Sequence, residues 1–278
     1  MRIGIVSAGE MGSALGAALL RGGANVATTL AGRSDRTARL AREAGLESMP
    51  DLGALVREAD VVLSVAPPDQ AETIAADIAA AAGDRRPLVA DLNAVAPATV
   101  RRIEARLTGL DLVDGSISGP PPRRPGTTRI YLSGARADEL LKLPFAGVEL
   151  VYVGPQIGAA SAVKMSTASV YKGTTAVLAQ ALLAAHANGV LDHVVDDLGE
   201  LARGAAPRIA RSAAKAHRYV GEMHEIAATQ AAAGLTPALF EAMAEVYAAQ
   251  AETPLAQRPP EEVGPGEDLD RVLESLGS

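Results

Sequence analysis

The chain has 278 residues, enough for two domains, and 48% of them are hydrophobic, so each domain can bury a core. The absence of cysteine excludes disulfides, thiolate metal sites and a cysteine nucleophile, and the four histidines lack metal-ligand spacing. The net charge of -7, with scattered lysines and arginines, argues against a nucleic-acid partner. No run of residues predicts a signal peptide or membrane span. We therefore expect a cytoplasmic protein without a metal ion.

In residues 1–155, short β-branched runs alternate with helical stretches, which is typical of a parallel sheet with crossover helices. Three of these helices begin with typical residues. Ser34 or Asp35, and Asp51, are suited to the N-cap, and Pro97 is suited to the first turn. This part therefore predicts an α/β Rossmann domain. Its predicted strands are 2–7, 25–30, 60–65, 88–92, 110–114, 128–133 and 150–153.

From residue 158 onward the pattern is helical. Residues 158–189 contain no proline and predict one long helix, and the helical pattern continues to about Gln250. The tail from Thr253 is rich in proline, glycine and acidic residues, which predicts partial mobility. We therefore predict a Rossmann domain at 1–155 and an all-α C-terminal domain at 156–278.

A glycine-containing loop follows the first predicted strand directly. The segment SAGEMG at 7–12 matches the dinucleotide fingerprint G-x-G-x-x-G, except that Ser7 takes the place of the first glycine. The glycines of this motif allow a tight turn and close approach of the pyrophosphate, and the N–H groups at the start of the helix face the phosphates. The residues of this site are predicted to be Gly9, Glu10, Met11, Gly12 and, after the strand at 60–65, Pro67.

The end of the second predicted strand distinguishes NAD from NADP. NAD-specific enzymes place Asp or Glu there, about 20 residues after the loop, to bind the ribose hydroxyls. This chain has Arg33 at that point, followed by Ser34 and Arg36, and a guanidinium suits a 2′-phosphate. We predict NADP rather than NAD, bound by Arg33 and Ser34. The alternative is that Arg33 and Arg36 are solvated charges at the start of a helix.

Four blocks carry a further pattern: IGIVSAGEMG at 3–12, DLNAVAP at 91–97, DGSISGP at 114–120 and GPQIGAASAVK at 154–164. They resemble the motifs of the β-hydroxyacid dehydrogenase superfamily, which includes 3-hydroxyisobutyrate and 6-phosphogluconate dehydrogenases. The resemblance extends over about residues 1–190. It looks closest to the bacterial, phosphogluconate-dehydrogenase-like branch with its own helical C-terminal domain.

The resemblance implies that Lys164 is the general acid/base, because the family places its catalytic lysine there. Ser118 and Gly119 stand where the family binds the substrate carboxylate. Pro120 departs from that motif and removes one N–H donor. Asn93, where many members have Ser or Thr, is assigned to the substrate or the nicotinamide amide.

A second departure lies after the lysine, where the family has asparagine three or four residues further on. This chain has Thr167 and Ala168 at these positions, and Thr167 is assigned to the substrate site. Tyr171 lies nearly in line with Lys164 on a helix and is the alternative proton donor, although a packing role is favoured. His217, Arg218 and Glu222 either line the mouth of the site or form a solvated helix face.

These assignments predict an NADP(H)-dependent oxidoreductase that acts on the CH-OH group of a small, anionic β-hydroxy acid. One alternative is an imine reductase-like enzyme, although such enzymes usually have an acid or a tyrosine in place of Lys164. Another is a catalytically silent NADP-binding regulator, which would bind the cofactor without turnover. The alanine-rich faces of the helical domain predict a homodimer.

Overall fold

In the computed structural model, which describes residues 1–277, eight strands form one sheet. The strands are β1 (Arg2–Val6), β2 (Asn25–Thr29), β3 (Glu47–Met49), β4 (Val61–Ser64), β5 (Leu88–Asp91), β6 (Leu112–Ser118), β7 (Thr128–Ser133) and β8 (Val148–Gly154). Their order is β3-β2-β1-β4-β5-β6-β7-β8, and all neighbours are parallel except β6 and β7. The chain reverses its direction of winding between β1 and β4. In such sheets, ligands bind beyond the carboxyl ends of the strands at this point.

Helices connect the parallel strands and make up most of the rest of the chain. Those of the first part are α1 (Glu10–Arg21), α2 (Asp35–Glu43), α3 (Leu52–Glu58), α4 (Ala71–Ala82), α5 (Pro97–Arg106) and α6 (Ala137–Leu140). The later helices are α7 (Ala159–Ala187), α8 (Leu191–Leu198), α9 (Ala205–Ala213), α10 (Ala216–Ala232), α11 (Ala238–Ala251) and α12 (Leu269–Gly277). The chain divides within α7 into an N-terminal unit, Met1–Met165, and a C-terminal unit from Ser166 onward.

The sheet buries an apolar core on each face, and alternate residues of a strand enter different cores. In β4, Val61 and Leu63 pack with Leu15 and Leu19 of α1, whereas Val62 belongs to the core on the opposite face. This alternation follows from the two-residue period of a strand. The run of consecutive apolar residues in β4 is therefore explained by helices on both faces.

The C-terminal unit has a core of its own, which includes the chain after Thr253. Leu182 of α7 and Ile209 of α9 pack there with Val272 and Leu273 of α12, all of them buried. The tail, for which partial mobility is predicted, packs onto this core through one face of α12. Its apolar residues lie in the core, and its charged residues face outward.

The predicted fold class, an α/β Rossmann domain followed by an all-α region, is confirmed. Two short elements, β3 and α6, were not predicted. Strand β6 was predicted at 110–114 but occupies Leu112–Ser118. Its second half contains a glycine and two serines, which do not form an apolar run. None of the described helices is long and apolar enough to cross a membrane. Within residues 1–277, no three or more histidine and acidic side chains are grouped to hold a metal ion.

Candidate functional site

The loop between β1 and α1 has the close packing that its glycines predict. A Cβ atom on Gly12 would lie 2.4 Å from the carbonyl oxygen of Ser7, so only glycine fits there without a shift of backbone. A Cβ on Gly9 would meet nothing within 4 Å, which leaves open space at the N-cap of α1. Open space beside the first N–H groups of a helix is suited to the phosphates of a dinucleotide.

The side chains of Glu10 and Met11 contact other parts of the protein. Met11 packs against the core on the α1 face, and the Glu10 carboxylate is largely buried with the Arg123 guanidinium 3.9 Å away. Arg123 belongs to the loop between β6 and β7, which is held to α1 by a 3.3 Å hydrogen bond from Arg21 to the Pro122 carbonyl. Glu10 and Met11 can therefore serve a dinucleotide through their backbone N–H groups.

Arg33 has an unpaired donor at the end of β2. Its Nε atom is buried and has no hydrogen-bond acceptor among the described residues. A buried N–H without an acceptor is unfavourable, and an anion would supply one. Ser34 caps α2 by accepting a hydrogen bond from the Thr37 N–H at 3.3 Å. The open loop at Gly9 fits the pyrophosphate of a dinucleotide, and the unpaired Nε of Arg33 fits an anionic group.

Asn93 connects the ends of β4 and β5 below the crevice. It is 2% exposed, its Oδ1 accepts from the Ala66 N–H at 2.5 Å, and its Nδ2 donates to Ser64 at 3.1 Å and to Asp91 at 2.7 Å. These bonds use both amide hydrogens of Asn93, and its assignment to the substrate site stays a prediction. Asn93 positions the chain before Pro67, which itself lies partly exposed after β4.

Asp114 of β6 anchors the start of α7. This fully buried carboxylate accepts hydrogen bonds from the Ser133 hydroxyl at 2.8 Å, the Gly158 N–H at 3.0 Å, and the Ser161 N–H and hydroxyl at 3.1 and 2.6 Å. The bonds join β6, β7 and the first turn of α7. They explain why the N-terminal unit extends to Met165 instead of the predicted residue 155. Sequence reasoning assigned Asp114 no role, although it opens one of the four blocks.

The same anchor brings Lys164 to the end of β6. The Lys164 Nζ donates to the carbonyl oxygen of Ile117 at 2.8 Å, which places it beside Ser118 and Gly119. Gly119 has φ +110°, and a Cβ there would lie 2.2 Å from the Thr127 carbonyl oxygen, so glycine is required. Three predicted site residues are thus neighbours in space although Lys164 is more than forty positions from the other two.

The remaining predicted residues lie beyond Met165. Thr167 is half-buried on α7, and Tyr171 is 71% exposed. Glu222 is 4% exposed and forms an ion pair with Lys172, so it does not lie on a solvated helix face. Its alternative place at the mouth of the site stays a prediction. Burial and the nearby Arg218 lower the pKa of His217.

The fold and the loop define a doubly wound α/β protein with a crevice suited to a dinucleotide, and the family models agree. Residues 2–94 match the model described as NADP oxidoreductase, coenzyme F420-dependent. Residues 185–250 match a domain of unknown function, DUF1932. An uncharacterized 28.5 kDa protein of Methanothermus fervidus is 29% identical over 201 residues, which are 72% of this chain and 77% of that protein.

Solved structures extend the similarity to the whole chain. The conserved protein MTH1747, of unknown function and described as structurally similar to 3-hydroxyacid dehydrogenases, is 28% identical with a TM-score of 0.67, over 91% of this chain and 97% of that one. The Mycobacterium tuberculosis 3-hydroxyisobutyrate dehydrogenase, solved with L-serine, shares the fold at 20% identity and a TM-score of 0.68, over 100% and 99%. An imine reductase from Myxococcus stipitatus, solved with NAD+, is 19% identical with a TM-score of 0.55, over 100% and 99%.

The predicted resemblance to 3-hydroxyacid dehydrogenases is therefore confirmed. The comparisons support an NAD(P)-dependent oxidoreductase.

Proposed function

We propose that this protein is an NADP(H)-dependent dehydrogenase that interconverts a small β-hydroxy acid and its carbonyl form, with Lys164 as the general acid/base. The observation that carries the proposal is the hydrogen bond from Lys164 Nζ to the Ile117 carbonyl, 2.8 Å long. This bond holds an amine next to Ser118 and Gly119, the residues expected to bind a carboxylate. A proton carrier and a carboxylate site side by side are what a hydroxy acid requires.

The chemistry divides between the cofactor and the chain. The nicotinamide, when bound, accepts a hydride from the alcohol carbon or returns one to the carbonyl carbon. Lys164 as a neutral amine accepts the hydroxyl proton during oxidation, and as an ammonium it donates that proton to the carbonyl oxygen during reduction. The Ser118 hydroxyl and the Gly119 N–H bind the carboxylate and so orient the reacting carbon.

The cofactor would be held by four parts of the N-terminal unit. The backbone of residues 9–12 would bind the pyrophosphate, and Arg33 would bind the 2′-phosphate through its unpaired Nε. Ser34 lies next to it at the start of α2, and Pro67 borders the crevice after β4. The buried donor of Arg33 supports NADP over NAD, because NAD has no 2′-phosphate to accept its hydrogen bond.

A homodimer is part of this proposal. The outward face of α7 carries exposed apolar side chains, with Val170 61%, Tyr171 71% and Val177 57% exposed. Exposed apolar residues that follow one face of a long helix are typical of a protein interface. The occupant proposed for this face is α7 of a second copy, since a two-fold interface uses the same surface twice.

The test follows the absorbance of the reduced nicotinamide in both directions with a panel of 3-hydroxy acids and their carbonyl partners. Lys164→Ala is expected to lower kcat by about 10²- to 10⁴-fold, the usual contribution of general acid/base catalysis, while NADPH still binds. Lys142→Ala, which removes an exposed lysine elsewhere in the N-terminal unit, is the matched control and should keep full activity.

Three outcomes would contradict the proposal. Turnover that survives Lys164→Ala would exclude Lys164 as the proton carrier. NADPH binding without turnover of any hydroxy acid would favour the silent regulator. Reduction of cyclic imines in place of carbonyl compounds, with these imines added to the panel, would favour an imine reductase.

A further inference from the structure

Ser7 has a backbone conformation that L-residues rarely adopt. Its φ is +72°, and every other residue with positive φ in the described chain, 1–277, is a glycine. The left-handed region brings Cβ too close to the carbonyl oxygen and is unfavourable for serine. Glycine adopts it freely, and the dinucleotide fingerprint has glycine at this position. This chain therefore retains a strained residue where an unstrained one is the rule.

The strain at Ser7 cannot relax, because the packing on both sides fixes the turn. Val6 and Ala8 are 2% and 1% exposed, so neither neighbour can move without opening a core. The Ser7 carbonyl oxygen is the atom that a Cβ on Gly12 would approach to 2.4 Å, so it lies directly against the first turn of α1. The positive φ is thus imposed by the fold of the loop.

The Ser7 hydroxyl does not offset this strain inside the protein. Small polar residues tolerate the left-handed region best when their side chains hydrogen-bond to nearby backbone. The Ser7 side chain is partly exposed and makes no hydrogen bond to any residue that the structure describes. A strained residue with an unused donor at a binding loop is a reason to look for a ligand.

We propose that Ser7 is a cofactor-binding residue whose hydroxyl donates a hydrogen bond to the pyrophosphate of the dinucleotide. The assignment rests on the proposed function. The pyrophosphate is the acceptor because Ser7 opens the loop that surrounds this group in the fingerprint.

Two substitutions separate the hydroxyl from the strain. Ser7→Gly removes both, whereas Ser7→Ala removes the hydroxyl and keeps a Cβ in the left-handed region. A hydrogen bond to a charged group is lost in both variants, so each should raise the Kd of NADPH about tenfold. Without cofactor, only Ser7→Gly should be more stable than the wild type, with a Tm about 2 °C higher after the flexibility of glycine in the unfolded chain is included.

Adenosine 2′-monophosphate is a probe without a pyrophosphate. It should compete with NADPH equally well in the wild type and both variants, because the proposed bond is absent from it. NADPH binding is measured by its fluorescence, the Tm by thermal unfolding of the full chain, and the probe by displacement of NADPH.

The outcomes distinguish this assignment from the proposed function. If the wild type binds NADPH and both variants bind it equally well, Ser7 is not a cofactor ligand. If the variants lose adenosine 2′-monophosphate as well, the pyrophosphate is not the acceptor. A Tm for Ser7→Gly at or below that of Ser7→Ala would show that position 7 is not strained. A wild type that binds neither NADPH nor NADH would overturn the proposed function, and this assignment with it.

Discussion

Asp91 is a carboxyl group that water hardly reaches. It is 1% exposed, and Asp114 occupies the paired position on the neighbouring strand β6. Burial, with a contribution from the charge of Asp114, raises the pKa of Asp91 to about 7, although hydrogen bonds from Asn93 act in the opposite direction. The folded protein therefore holds a proton that the unfolded chain releases near its ordinary value of 3.8.

We expect this proton to make stability depend on pH in a defined direction. The stabilisation is complete below about pH 4 and is lost as the pH rises through about 7, because the unfolded chain ionises first. The free energy of unfolding, measured with urea, should fall across this range. Asp91→Asn, which cannot ionise, should remove that part of the slope. Asp84→Asn, in an exposed turn, is the control. An equal dependence of the unfolding free energy on pH in the wild type and in Asp91→Asn would contradict the expectation.

Arg33 gives a prediction about cofactor choice. Replacing it with alanine removes the donor to a 2′-phosphate, so the Kd of NADPH should rise about 10- to 100-fold, the range for a hydrogen bond to a charged group. The Kd of NADH should change little, because NADH lacks that phosphate. Titration of both dinucleotides measures the two constants. Arg39→Ala is the control for charge, since Arg39 lies on α2, the helix that follows Arg33, and is exposed and paired with Glu43. Equal losses for NADPH and NADH would exclude a 2′-phosphate contact.

In the C-terminal unit, Lys172 of α7 and Glu222 of α10 form a buried ion pair. Their side chains are 14% and 5% exposed, and the Lys172 Nζ also lies 4.1 Å from the centre of the Tyr219 ring. Tyr247 of α11 donates to the Lys172 carbonyl at 2.8 Å, so three helices meet here. Because both charges are removed from water, the loss of either one would leave the other buried without a partner.

Lys172→Met alone should lower the free energy of unfolding by about 3 kcal/mol, because it leaves the Glu222 carboxylate buried without its partner. Adding Glu222→Leu should recover most of that loss. Urea unfolding of the wild type, both single variants and the double variant measures the coupling. Glu200→Gln, in an exposed pair with Arg203, should change stability by less than about 1 kcal/mol. Strictly additive effects of the Lys172 and Glu222 changes would show that the pair is not coupled.

The elements predicted from the sequence are those with a strong hydrophobic period or a typical N-cap residue. The long helix was predicted at 158–189 and observed at Ala159–Ala187, and Ser34 and Asp51 do cap their helices. The missed β3 has three residues and α6 has four, too short for a period to show. The apolar face of α12 was hidden by the proline- and acid-rich composition before it.

The sequence predicts most about the site where a motif has fixed geometry, and least where the partners of a side chain decide its role. The motif around Gly119 predicted the carboxylate site, and Lys164 does lie beside it. The hydrogen bonds of Asn93 could not be predicted, because two of its three partners, Ser64 and Ala66, lie at the end of β4, far from Asn93 in sequence. The same holds for Glu222, since a glutamate on a helix shows its partner only when the facing helix is known.

For the molecule as a whole, the proposed dimer depends on the exposed face of α7. Between residues 166 and 184, exposed positions at helical spacing form a stripe about 27 Å long. Its middle carries Val170 and Val177, and its ends carry small residues, so two copies of the helix can approach closely. No charged side chain lies on the stripe, which is unusual for a surface that faces only water.

We expect the protein to sediment as a dimer and Val170→Glu with Val177→Glu to sediment as a monomer, because each dimer would then bury four unpaired carboxylates. Val190→Glu, at an exposed apolar residue outside the stripe, is the matched control and should remain dimeric. Sedimentation velocity at several concentrations measures the assembly. A wild type that is monomeric throughout would show that this face has no second copy as its partner. If the double variant stays dimeric, the interface lies elsewhere on the chain.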